Sequence, residues 1–143
     1  MNLRYAVRSE DTEQIAVMQW VRMHLARWPE LFLLHHIPNG GARNPGEGAK
    51  LKQMGVLAGV ADLHLPAARG MYHGLYIEMK YDDGRLRKSQ KDFLKAAAAE
   101  DVFCCVCYTA EDAIEIIRQY VSRDTKYPNL SILKDGKQIG TVK

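Results

Sequence analysis

Two residue types at one spacing raise a chemical question in "GLYIEMKYDDG", residues 74–84. Glu78 and Lys80 stand two positions apart in an otherwise apolar run. A strand alternates faces, so both would project to one side while Ile77 and Met79 project to the other. Burying either charge without a partner is costly. An isolated E-x-K pair reads as an exposed ion pair on an edge strand, worth little. Asp62 opens a second reading. It lies 16 positions before Glu78, on the polar side of "GVADLHLP". Were these two segments an antiparallel pair, the two carboxylates and the lysine would converge at one end of a sheet. Two carboxylates there form a hard oxygen site suited to Mg²⁺ or Mn²⁺. Such an ion neutralises a phosphate and lowers the pKa of bound water, and a lysine beside it can orient that water or stabilise developing charge.

The elements that must position these groups can be read from periodicity. Ile15, Met18, Val21, Leu25 and Trp28 recur at helical spacing, predicting a helix over about 10–28 stopped by Pro29. "FLLHHI" (32–37) reads as a short strand ended by the turn signal "PNGG". Residues 42–56 read as a loop carrying one or two helical turns. Residues 59–66 and 74–81 read as strands. A second helix is expected from Ser89, capped through Asp92, to Glu100. "VFCCVCY" is a continuous apolar run, as in a buried central strand. Thr109 with Asp112 opens a third helix. The order helix, three strands, helix, strand, helix is an α/β layout: a mixed sheet flanked by helices. We divide the chain into a domain over 1–123 and a C-terminal extension over 124–143, whose Asp-Gly between alternating segments signals a β-hairpin.

Bulk composition narrows the class. The 143 residues fit one domain, and 47% hydrophobic with 26% charged residues is ordinary for a soluble globular chain. No apolar run approaches the ~20 residues of a membrane span, and "MNLRYAVRSED" lacks the pattern of a signal peptide, so a cytoplasmic location is the expectation. Net charge is +3, with Arg85, Arg87, Lys88, Lys91 and Lys95 in one cluster and Arg43, Lys50 and Lys52 in another. Clusters of this kind either meet phosphates or form a solvated face. The three cysteines, 104, 105 and 107, read as core filler; their odd number and spacing argue against disulfides and zinc. His35 and His36 cannot chelate together, being on opposite faces; one is expected inside and one in solvent. His64 shares the face of Asp62 and could approach the metal or the substrate.

Taken together, Glu10 and Gln14 in the first helix, "IPNGG", "GVLAGVADLHLP", "GLYIEMK" and "GRLRKSQKDFL" resemble the VRR-Nuc domain of the PD-(D/E)XK nucleases, over about residues 10–121. The resemblance implies a restriction-endonuclease-like core and a Mg²⁺- or Mn²⁺-dependent endonuclease acting on DNA. It implies that Asp62, Glu78 and the main-chain carbonyl of Met79 ligate the metal, with Glu10, or Glu13 if the register slips, as the first-helix carboxylate. Lys80 becomes the catalytic lysine and Gln90 the glutamine that positions it or the phosphate. Asn39 and Gly40 fall on the family's Pro-Asn-Gly loop. Together with Arg43, Lys50, Arg87 and Lys88 they are the expected DNA contacts. Family members commonly have proline before the metal-binding aspartate, where this chain has Ala61. Stand-alone members of this size resemble Holliday-junction resolvases, which implies branched DNA and a homodimer.

Overall fold

A computed structural model describes residues 7–38 and 44–143. Asn39, Gly40 and Arg43 lie outside the described residues.

Helix α1 (Glu10–Met23) begins where Ser9 and Thr12 cap each other reciprocally. It ends five residues before Trp28, earlier than the periodicity predicts. Residues 24–27 turn, and Pro29 starts a 3₁₀ helix (Pro29–Leu33) instead of terminating α1. Leu25 and Trp28 still pack on the core from the turn, so their apolar spacing mimicked a continuing helix. Only His35–His36 of the expected 32–37 strand is extended, forming β1. Both histidines are exposed, which corrects the expectation of one inward ring. Helix α2 (Pro45–Gln53) is a full nine-residue helix, capped by the Asn44 side chain on Glu47 N–H.

Strands β2 (Leu63–Leu65) and β3 (Leu75–Met79) are shorter than the sequence segments that contain them. They pair antiparallel, with Leu63 opposite Ile77. Helix α3 (Lys88–Ala99) starts at Arg87 as N-cap, ahead of the expected Ser89. The difference has a local cause: the Gln90 side-chain carbonyl accepts the Arg87 N–H at 2.9 Å. Asp92 meanwhile takes the Lys88 ammonium at 2.7 Å. The cysteine run forms β4 (Phe103–Cys107), every residue buried. Helix α4 (Ala110–Val121) is capped by Thr109 as predicted.

The tail forms β5 (Ser131–Lys134) and β6 (Lys137–Thr141), joined at Asp135-Gly136. The six strands lie in chain order. β1–β2–β3 and β5–β6 pair antiparallel; β3–β4 and β4–β5 pair parallel. Asp112 ties the hairpin down by accepting Asp135 N–H at 3.0 Å and Gly136 N–H at 2.7 Å.

Helices cover both sheet faces. Val17, Val21, Ile116, Ile117 and Tyr120 of α1 and α4 pack on Ile77, Met79, Cys105 and Cys107. Leu94 of α3 packs on Cys104 and Val106 across the other face. Thus Ile77 and Met79 are core anchors on one side of β3, and Glu78 and Lys80 face the α3 side, as alternation requires. The three cysteines are free and fully buried. Burial pushes the Cys104 thiol up to about 12, consistent with filler.

Candidate active site

Asp62 stands just ahead of β2, and its backbone is pinned by the neighbouring edge strand. The Asp62 carbonyl accepts Ile37 N–H at 2.8 Å and contacts His36 Nδ1 at 2.8 Å. With its main chain held, the Asp62 carboxylate reaches across to β3 and accepts Met79 N–H at 2.8 Å. The side chain therefore sits at the end of β3, next to Glu78.

Glu78 is 2% exposed and Lys80 8% exposed, so both charges are indeed buried. Gln90, in the first turn of α3, holds the two together. Its Nε2 donates to Glu78 Oε1 at 3.0 Å, and its Oε1 accepts from Lys80 Nζ at 3.1 Å. The same Oε1 caps α3 through Arg87 N–H, which fixes the amide orientation: flipping it would set an NH₂ group against an ammonium. Lys80 Nζ lies 3.8 Å from Glu78 Oε1. The second oxygen, Oε2, is buried and lacks any hydrogen-bond partner. Burial pushes the Glu78 carboxyl up to about 9; the nearby Asp62 carboxylate adds to that, and Lys80 opposes it.

Glu10, the first residue of α1, is half-buried. Its carboxyl is raised by burial and then by the charge of Asp62, and lowered by Lys80 and Arg87. It faces the same cluster. Glu13 does not: its carboxylate takes Arg8 at 2.6 Å and Ala110 N–H at 3.2 Å, serving the start of α4. Of the two first-helix carboxylates, Glu10 lies toward the cluster and Glu13 is engaged elsewhere.

The remaining expected residues scatter. Arg87 is exposed beside the cluster, Lys88 is exposed and paired with Asp92, and Lys50 is exposed on α2. His64 stacks on Tyr76 with centroids 4.2 Å apart, and His35 meets it edge-on at 5.4 Å. It is an aromatic packing residue here. Sequence reasoning missed Gly59. Its φ is +90°, and a Cβ there would fall 2.3 Å from Ser89 O and 3.0 Å from Gln90 N. Only glycine lets the segment before Asp62 touch the α3 start that carries Gln90. The signal was present in "LAGVAD", where a glycine stands three residues before the carboxylate.

The arrangement suits a divalent cation. Among the described residues, no group of three or more His, Cys, Asp or Glu side chains could hold one by itself. Asp62 and Glu78 nevertheless offer adjoining carboxylates, and the orphaned Glu78 oxygen is a buried acceptor lacking a donor. That is the observation a cation would relieve.

Comparison with known proteins agrees with the geometry. The model of the VRR-NUC domain family matches residues 8–111. A solved structure described as a VRR_NUC domain protein superposes with a TM-score of 0.68 at 33% identity, covering 82% of this chain and 92% of that one. No curated protein gives a significant match. The mixed sheet with helices on both faces is the α/β class the sequence predicts. The chain belongs to the VRR-NUC domain family, a family of nuclease-type domains.

Proposed function

We propose that the protein is a metal-dependent DNA endonuclease hydrolysing phosphodiester bonds, with Mg²⁺ or Mn²⁺ held by Asp62, Glu78 and the Met79 carbonyl, and Glu10 facing them. The observation that carries the reading is the buried, unpartnered Glu78 oxygen against a second carboxylate. When bound, the ion supplies a lowered water pKa and charge neutralisation at the phosphate. The chain's own groups do the rest. Gln90 holds the Lys80 ammonium at the carboxylate pair, where it orients a nucleophile or stabilises charge on the phosphate. Arg87, exposed near Glu10, is the proposed contact to the DNA backbone closest to the cluster. Exposed Lys50 and Lys88 are further proposed DNA contacts, as are Asn39, Gly40 and Arg43, which lie outside the described residues.

Branched DNA of the Holliday-junction type is the proposed substrate, cut by a homodimer with two symmetric sites. A monomeric flap or nicking nuclease uses the same chemistry, and a non-cleaving DNA-binding module uses the same surface. Incubating the protein with four-way junction, flap and linear duplex in Mg²⁺, Mn²⁺ or EDTA separates them. Junction cleavage is expected in either metal and none in EDTA. Glu78→Ala and Lys80→Ala should each lower the rate at least a hundredfold. No cleavage of any substrate would leave the binding module; faster flap cleavage would overturn the junction preference alone.

A further inference from the structure

A cavity of about 340 Å³ opens on the α3 side of the sheet between α3, the loop over 81–87 and the β5–β6 hairpin. Its floor is apolar, built by Leu86, Val106 and Ile132, while Arg85, Lys91 and Lys143 stand around it and no lining residue is acidic. Among the described residues, Arg85 and Lys91 have no ion-pair partner. The walls are anchored. The Tyr108 hydroxyl donates to Gly84 O, and Lys134 Nζ donates to Asp82 O at 2.9 Å, tying the loop to β4 and β5.

Position relates this cavity to the carboxylate pair. Glu78 is the direct cross-strand neighbour of Val106, and Val106 of Ile132, in the two parallel pairings. Glu78 and the floor therefore form one row, spaced one and two strand separations apart, about 5 and 10 Å. That is the scale of neighbouring nucleotides on one strand.

We propose that this cavity seats an unpaired nucleotide of the DNA strand next to the one being cut. Its base or sugar lies on the apolar floor beside Tyr108, and its phosphate meets Arg85 and Lys91. The proposal rests on the nuclease reading for the identity of the strand, and it makes the hairpin, which lies beyond the family match, part of the substrate surface. A concave apolar floor whose charged neighbours are all cations is poorly matched to a stacked duplex, whose base faces are covered, and well matched to an extruded nucleotide.

Binding is tested without catalysis, by fluorescence anisotropy with a labelled single-stranded 20-mer and a labelled flap DNA in EDTA. Arg85→Ala with Lys91→Ala should raise Kd about tenfold at low salt, and lower the slope of log K against log[salt] by about 1.4 for the single strand. Thr141→Trp, which fills the cavity and removes no charge, should raise Kd at least threefold with the slope unchanged. Arg22→Ala with Arg27→Ala removes two exposed cations at and just beyond the end of α1, which packs on the other face of the sheet, and serves as the control. Equal Kd values for the cavity and control doubles, or no effect of Thr141→Trp, would overturn the proposal. Because this assay contains no metal, a separate failure to cleave in Mg²⁺ or Mn²⁺ would defeat the nuclease reading and leave the binding result standing.

Discussion

Glu78 is the residue on which structure and chemistry meet. A buried carboxyl raised to about 9 binds its proton more tightly in the folded chain than in the unfolded one, where about 4.5 applies. Its contribution to stability is complete below pH 4.5 and is lost as pH rises through 9. The metal-free protein should therefore lose thermal stability between about pH 5 and 9, and Glu78→Gln should flatten that decline. Melting curves across this range check it; a pH-independent difference between the two proteins would contradict it. A bound cation inverts the requirement, since ligation needs the carboxylate form. Calorimetry in buffers of different ionisation enthalpy should accordingly show about one proton released on Mn²⁺ binding at pH 7, and none in Glu78→Gln.

At the scale of elements, the site depends on how closely the segment before β2 approaches the start of α3. Gly59 sets that distance. A methyl group there would overlap the Ser89 carbonyl at 2.3 Å, in a backbone conformation that side chains rarely adopt. Gly59→Ala must push α3 outward and carry Gln90 away from Glu78 and Lys80. Overpacking of this kind costs about 1–3 kcal/mol. Denaturant unfolding should show that loss, and DNA cleavage should fall with it even though Gly59 bears no chemistry. Wild-type stability and rate in Gly59→Ala would show that the contact is dispensable. Other elements have equally specific ties. Glu13 of α1 reaches 97 positions along the chain to the first turn of α4, and Asp112 of α4 holds the hairpin turn.

On the scale of the whole molecule, the parallel β3–β4 pair carries the acidic cluster at its C-terminal end, with α1 contributing Glu10 and α3 contributing Gln90. One site of the proposed kind would cut one strand, so the proposed symmetric cleavage of a junction needs two copies. Sedimentation equilibrium should return a mass twice the 16.2 kDa of the chain. A monomer that cleaves would favour the flap or nicking reading.

Much of this was legible in the sequence because strand alternation is a local property. The two-residue period placed Glu78 and Lys80 opposite Ile77 and Met79, and the apolar run 102–108 required burial on both faces. Element ends were legible less well, since Leu25 and Trp28 serve the core equally from a helix or from a turn. What needed the tertiary structure were the contacts between distant segments. Those contacts turn Glu10 toward Asp62 and Glu13 toward α4, make Gln90 a clamp as well as a cap, and put β5 parallel beside β4. Residue types and spacing determined which groups could do chemistry. Only the packing of α1 and α3 against the sheet decided which of them meet, because burial and pairing energies depend on neighbours that the local sequence does not contain.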